Sequence, residues 1–379
     1  MRKVTLFLLL LISSTVYGQN LRTLNKDIVD ENNNEVILRS AGLGGWMLQE
    51  PYMFNYSSGA NTQHEFKEKL NNLVGSENTE LFFESWLDNF VTEQDVDSIA
   101  SWGFNSIRLP MHYDLFTLSI QNEPVEGENT WLDRGFEIVD QLLDWCEQNE
   151  LYLILDLHAA PGGQGYDAAI SDYNSEFPSL WESVENQNKT IALWEQLAIR
   201  YKDEPWIGGY DLLNETNWDL ANFELRSFYV QVTNAIREHD TNHIIFIEGN
   251  WFANDFTGLI PPWDDNMAYS FHKYWSYNNT ESIQWVLDIR NQYNTPLWMG
   301  ESGENSNLWF TDAIRLFEDN DIGWAWWPWK KTESINSTLS ISSNSNFQSI
   351  IDYFADGQNQ PSIDNAMQGL IQFSTSRWT

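Results

Sequence analysis

Ile207-Gly208-Gly209-Tyr210-Asp211-Leu212-Leu213-Asn214-Glu215 is a short apolar run that closes on a carboxylate, and Pro296-Leu297-Trp298-Met299-Gly300-Glu301 repeats the arrangement. Such runs are too short for helices and do not alternate, so they read as strands buried on both faces, the habit of parallel sheets. Working outward, comparable runs fall at 38–43, 104–109, 151–157, 208–213, 243–247, 267–271, 297–300 and 323–327. Helical periodicity fills the intervals, most clearly over 92–102, 133–149, 190–202, 223–239, 281–293 and 311–320. Eight strands alternating with helices predict an all-parallel α/β fold, a (β/α)8 TIM barrel. An open doubly wound sheet is the weaker reading, because Ala41-Gly42-Leu43-Gly44-Gly45 is a poor match to a dinucleotide-binding G-x-G-x-x-G.

The flanks fit that frame. Ile28-Val29-Asp30 and Glu35-Val36-Ile37-Leu38, around Asn32-Asn33-Asn34, predict an N-terminal hairpin capping the bottom of the barrel. Residues 51–91 read as an insertion after the first strand, with helical stretches at 63–73 and 78–90, expected to build one wall of an active cleft. No repeat, linker or appended module interrupts the pattern. Met1-Arg2-Lys3 followed by Leu6-Phe7-Leu8-Leu9-Leu10-Leu11-Ile12 predicts a signal peptide over 1–18, cleaved after Gly18. The expectation is a secreted or periplasmic protein whose single catalytic domain spans 19–379.

Composition narrows the partners. The 379-residue chain carries a formal charge of −35, and without Arg2 and Lys3 it has 18 basic against 55 acidic residues, or −37. Such a surface repels nucleic acid and anionic lipid, so a neutral polymer is the expected partner and no membrane contact is implied. A monomer is expected. The single cysteine, Cys146, allows no intrachain disulfide and sits in a helical pattern as a packing residue. Twenty tryptophans are many for this length. Each indole read singly is core, but Trp181, Trp218, Trp251, Trp263 and Trp275 stand in polar surroundings and together favour a carbohydrate cleft.

A TIM barrel places its chemistry at the C-terminal ends of its strands. In order, those ends carry Glu50, Arg108, His158, Asn214-Glu215, Glu248, His272 with Tyr274, Glu301 and Trp327. This series resembles the retaining β-glycosidases of glycoside hydrolase family 5, within the larger clan that has an Asn-Glu pair. The resemblance covers nearly the whole chain after residue 18. It rests on Ile107-Arg108-Leu109-Pro110, Leu155-Asp156-Leu157-His158, Asn214-Glu215, His272-Lys273-Tyr274, Met299-Gly300-Glu301-Ser302 and Trp326-Trp327-Pro328-Trp329-Lys330. It implies that Glu215 is the acid/base and Glu301 the nucleophile of a double displacement, with carboxyl groups roughly 5–5.5 Å apart. Glu301 must stay ionised, so a cation and hydrogen-bond donors should adjoin it, and Arg108 and Tyr274 are the candidates. Asn214 would bind the sugar 2-hydroxyl, His158 and His272 would line the subsite before the scissile bond, and Trp327 would floor it.

Within the family, Gly44-Gly45-Trp46-Met47-Leu48-Gln49-Glu50 and Leu155–Gln164 followed by Tyr166-Asp167 resemble the exo-β-1,3-glucanase branch. That likeness implies that Glu50 and Asp167 close a pocket around a terminal glucose. Thr216 stands where the family usually has Pro. An endo-β-1,4-glucanase or β-mannanase would use the same set, and a non-catalytic carbohydrate-binding protein would share the aromatic and acidic composition. A glucosylceramide-type glycosidase would want a membrane-docking stretch that the sequence lacks. No cofactor is implied, and no metal: His64, His112, His239 and His243 lack ligand spacing such as H-E-x-x-H, and no G-x-S-x-G elbow is present.

Overall fold

A computed structural model describes residues 20–377 of the chain. The expected leader, 1–18, lies outside the described residues. Eight parallel strands close into a barrel: β1 (Arg39–Gly42), β2 (Ser106–His112), β3 (Tyr152–Ala159), β4 (Ile207–Asp211), β5 (Ile245–Glu248), β6 (Met267–His272), β7 (Leu297–Gly303) and β8 (Gly323–Trp327). Neighbours in sequence are neighbours in space, and β8 closes on β1 through Trp324, Ala325 and Trp326 opposite Arg39, Ser40 and Ala41. All eight fall on the apolar runs. These strands are buried on both faces, which is why their sequences do not alternate.

The bottom of the barrel is stoppered from the N-terminus. Leu21 and Ile28 pack with Leu38, Ile154, Phe246, Ala268, Trp298 and Ala325 in one buried cluster. The hairpin that delivers them differs from the expected pairing. Arg22–Leu24 pairs antiparallel with Asp27–Val29, and the expected Val29–Glu35 partnership survives as a single bridge. Asn25, at φ +58°, supplies the left-handed turn residue that the shorter hairpin needs.

The insertion also departs from expectation. Its helices, Gln63–Val74 and Ser76–Asn89, pack against two C-terminal helices, Ser345–Asp356 and Ile363–Ser374, that lie beyond the helical stretches read from the sequence. Tyr56 stacks on Phe66 at 4.2 Å, Phe347 on Phe373 at 4.0 Å and Trp86 on Phe373 at 5.4 Å. The insertion is therefore an aromatic-cored buttress beside the barrel, and only Tyr52, in the turn Pro51–Phe54, reaches the cavity. Cys146 is fully buried in helix Asp133–Gln148, as its pattern suggested, and burial pushes its thiol well up.

Candidate active site

The strand ends open into a cavity of about 640 Å³. It is lined by Glu50, His158, Asp167, Glu215, His272, Tyr274, Glu301 and Trp327 of the expected set, and by Tyr52, Phe252, Trp275 and Glu304 besides. A register shift between Phe271 and His272 sets His272 level with Glu301 on the neighbouring strand. Shifts of this kind re-aim side chains at strand ends. β4 ends at Asp211, so Asn214 and Glu215 lie on the following loop, and Glu215 sits at φ +39°. A non-glycine residue held there is strained, a feature common at functional positions.

Glu215 and Glu301 face each other. One oxygen from each carboxylate and a ring nitrogen of His272 lie within 4.8 Å of one another. Tyr274 donates its hydroxyl to Glu301 Oε1 at 2.7 Å, and Arg108 Nη1 donates to Glu301 Oε2 at 2.8 Å. His272 Nδ1 is 2.6 Å from Glu215 Oε1, and its Nε2 is 3.1 Å from Glu248 Oε1. Glu248 Oε2 also accepts from the Glu215 backbone N–H at 2.7 Å, so one carboxylate fixes both the loop and the histidine.

Arg108 is fully buried beneath this layer and does not line the cavity. Besides Glu301 it donates to Asn214 Oδ1 at 2.8 Å, Glu248 at 3.0 Å and Asp211 at 3.2 Å, and it forms an ion pair with Asp156 at 3.1 Å. Asn214 is likewise fully buried; its carboxamide is held between Arg108 and the His158 ring, 3.4 Å away. His158 binds Asp156 at 2.8 Å, approaches Glu50 at 3.5 Å and stacks on Trp327 with centroids 5.0 Å apart. A Cβ on Gly44 would lie 2.4 Å from the Trp327 ring, so glycine there is what lets the indole lie flat. Asp167 is exposed on the rim, whereas Glu50 is buried. Of the five polar-context tryptophans, Trp275 alone lines the cavity.

Charge is distributed by burial and pairing. Burial opposes the charge on His158, yet the Asp156 carboxylate and the contact with Glu50 hold it up to about 10. His272 is held well above its ordinary value against burial by Glu248 and Glu301. Burial pushes Glu248 up, but the charge and hydrogen bond of His272, followed by Arg108, bring it down to about 2. Burial and then the charge of Glu248 push Asp211 well up. Burial, aided by Glu301, likewise raises the Tyr274 phenol, so it stays a donor.

Glu50 yields a prediction. Burial raises it from 4.5 to about 7, although His158 pulls the other way. Between pH 4.5 and 7 the folded state therefore holds a proton that the unfolded chain releases, so stability falls as pH rises through that window. Glu50→Gln removes this slope. Its melting temperature should match wild type near pH 4.5 and exceed it above pH 7, by the equivalent of about 3 kcal/mol at most. Thermal melts across that range check it; a constant offset would refute the assignment.

Sequence reasoning missed Asp156, Asp211, Tyr52, Phe252 and Glu304, and kept Glu248 only as a strand end. A charged residue inside an apolar run, as in Leu155-Asp156-Leu157 and Tyr210-Asp211-Leu212, is itself a signal, because a buried carboxylate needs a partner.

The cellulase model, glycosyl hydrolase family 5, matches residues 60–333. The chain belongs to glycosyl hydrolase family 5. It is therefore a glycoside hydrolase by class. A β-xylosidase of Phanerodontia chrysosporium is 39% identical over 249 residues, 65% of this chain and 50% of the relative, so the match spans half that protein's length. Endoglucanase C of Acetivibrio thermocellus is 27% identical over 322 residues, 67% of this chain and 88% of the relative. A glucan 1,3-β-glucosidase of Blumeria graminis is 28% identical over 268 residues, 66% and 58% of the two chains. Among solved structures, the cellulase Cel5C_n superposes with a TM-score of 0.59 at 17% identity, covering 93% of this chain and 95% of its own. At that identity the likeness shows the barrel alone, and the barrel is the family 5 fold expected from the strand pattern.

Proposed function

We propose that this family 5 chain is an exported, monomeric, retaining exo-hydrolase of neutral β-glucans, with β-1,3-glucan preferred. The observation that carries the reading is the Glu215–Glu301 pair. One oxygen of each lies within 4.8 Å of the other, each carboxylate is held by its own donor, and both line the cavity. Retaining sites have carboxyl groups roughly 5–5.5 Å apart, and inverting sites roughly 6.5–9.5 Å. Glu215 gives its proton to the glycosidic oxygen as Glu301 attacks the anomeric carbon. The C–O bond breaks, the aglycone alcohol leaves and a glycosyl ester forms on Glu301. Glu215 then takes a proton from water, which attacks the same carbon and expels the carboxylate, so configuration is retained.

His272 and Tyr274 orient the two carboxylates. His158, Glu50 and Trp327 meet the sugar held before the scissile bond, and Arg108 and Asn214 support that layer from below. The relatives named glucan 1,3-β-glucosidase support the linkage. The basic, apolar start of the sequence supports export, and no helix among the described residues is long and apolar enough to cross a membrane. A second reading, a terminal β-xylose, is favoured by the 39% identity to a protein named β-xylosidase.

Product analysis separates these. Laminarin, carboxymethyl-cellulose, mannan, pustulan and xylan are each incubated with enzyme while anomers are followed by proton NMR. β-Glucose appearing first from laminarin is the expected result. Xylose would move the substrate and keep the mechanism, oligosaccharides would replace exo action with endo, and an α-anomer first would refute the glutamate assignment.

A further inference from the structure

The direction of proton donation divides the cavity. Phe252 lies beside Glu215, its backbone N–H donating to Thr216 O at 3.2 Å, and Trp327 stacks on His158, so on the mechanism above the leaving group would point toward Phe252 and the retained sugar would rest on Trp327. Tyr52 and Glu304 also line the cavity, Tyr52 beside Trp327. Neither stands alone. Lys331 Nζ is 2.7 Å from Glu304 Oε1 and 4.7 Å above the Tyr52 ring, and both charged side chains are nearly buried, at 11% and 14% exposure. Tyr52 Oη accepts from Trp327 Nε1 at 3.0 Å, so the wall is tied to the floor. Asn55 Nδ2 donates to Thr332 O at 3.3 Å, bracing the Tyr52 turn on the strand Lys330–Thr332 that carries Lys331. Glu304 is held at φ +56°, a left-handed conformation unfavourable to a non-glycine residue.

We propose that the Glu304–Lys331 ion pair, seated on Tyr52, is the end wall of the sugar-retaining side and decides that only a chain terminus is accepted; this rests on the exo reading above. One lysine contact leaves the Glu304 carboxylate with further acceptor capacity, which it offers to hydroxyls of the terminal sugar. Lys331 offsets the repulsion that a second carboxylate would otherwise exert on Glu301. A glucan continuing beyond that terminal sugar would have to pass through the pair.

The test follows the products from laminarihexaose tagged at its reducing end. Wild type should release glucose alone, leaving tagged pentaose and then tetraose. The double variant Glu304→Ala with Lys331→Met removes the wall without stranding a charge. It should release disaccharide and longer pieces from the untagged end, products absent from the wild-type digest. Glu304→Gln keeps the shape of the wall and guards against misfolding of the double variant; its KM for laminaritriose should rise severalfold. Glucose alone from the double variant, or an unchanged KM in Glu304→Gln, overturns the wall. Oligosaccharides from wild type itself would overturn the exo reading and the wall with it.

Discussion

Glu301→Gln should lower kcat by on the order of 10⁴-fold or more, with KM changed far less, because the substitution removes the attacking electron pair and leaves the cavity in place. The new carboxamide keeps an acceptor oxygen for Arg108 or Tyr274, so the fold should survive and laminari-oligosaccharide binding by calorimetry should persist. A non-catalytic carbohydrate-binding protein would show no such split. Azide rescue then assigns the two roles by stereochemistry. In Glu301→Ala, azide enters from the nucleophile's face and displaces an activated aryl leaving group, giving the α-glycosyl azide. In Glu215→Ala, Glu301 still forms the ester, since a dinitrophenolate leaves without a proton. Azide then attacks from the opposite face and the product is the β-glycosyl azide. Exchange of these two outcomes would mean that the glutamates have each other's roles. Loss of activity in neither variant would mean that the pair is structural.

The barrel was legible because parallel strands are apolar on both faces, so each stands out in sequence without any knowledge of its partner. The strand-end residues were legible for the same reason: Glu215, His272 and Glu301 each follow an apolar run. What was lost depends on contacts between distant segments. Asp156, Asp211 and Glu248 converge with Glu301 on Arg108 from four other strands, and nothing local to any one of them announces the others. Phe252 reaches the cavity from left-handed backbone at φ +60°, a conformation that bulky aromatics rarely adopt and that its identity therefore does not signal. The C-terminal helices are a different case. Phe347, Ile350 and Ile351, then Ala366, Leu370 and Phe373, are spaced at helical intervals on buried faces, so the pattern was present and only its destination, the insertion, was hidden.

Arg108→Met should cost the most stability of any single change in the site, about 3–5 kcal/mol or more. The guanidinium is one cation serving Asp156, Asp211, Glu248 and Glu301, all within 3.2 Å and all but Glu301 fully buried. Two histidines share the load, His158 on Asp156 and His272 on Glu248, but neither reaches Asp211 or replaces the Arg108 contact to Glu301. Without the arginine these carboxylates lose their pairing and remain out of water. The direction with pH follows from their linkage. Glu248 is held down to about 2 by His272 and Arg108 against burial. Removing Arg108 lifts its folded pKa, so protonation relieves the variant at a pH where wild type gains nothing. The deficit measured by denaturant unfolding should therefore shrink as pH falls from about 7 toward 5. Arg108→Lys is the informative control. It keeps the charge and discards the planar five-donor fork that touches four carboxylates and Asn214 at once. It should recover part of the stability while kcat stays low, because a single ammonium cannot hold Glu301, Asn214 and Glu248 in place together. Equal stability of Arg108→Met and wild type near neutral pH would mean that the acid cluster is already neutral without the arginine, and the electrostatic account of the site would fall.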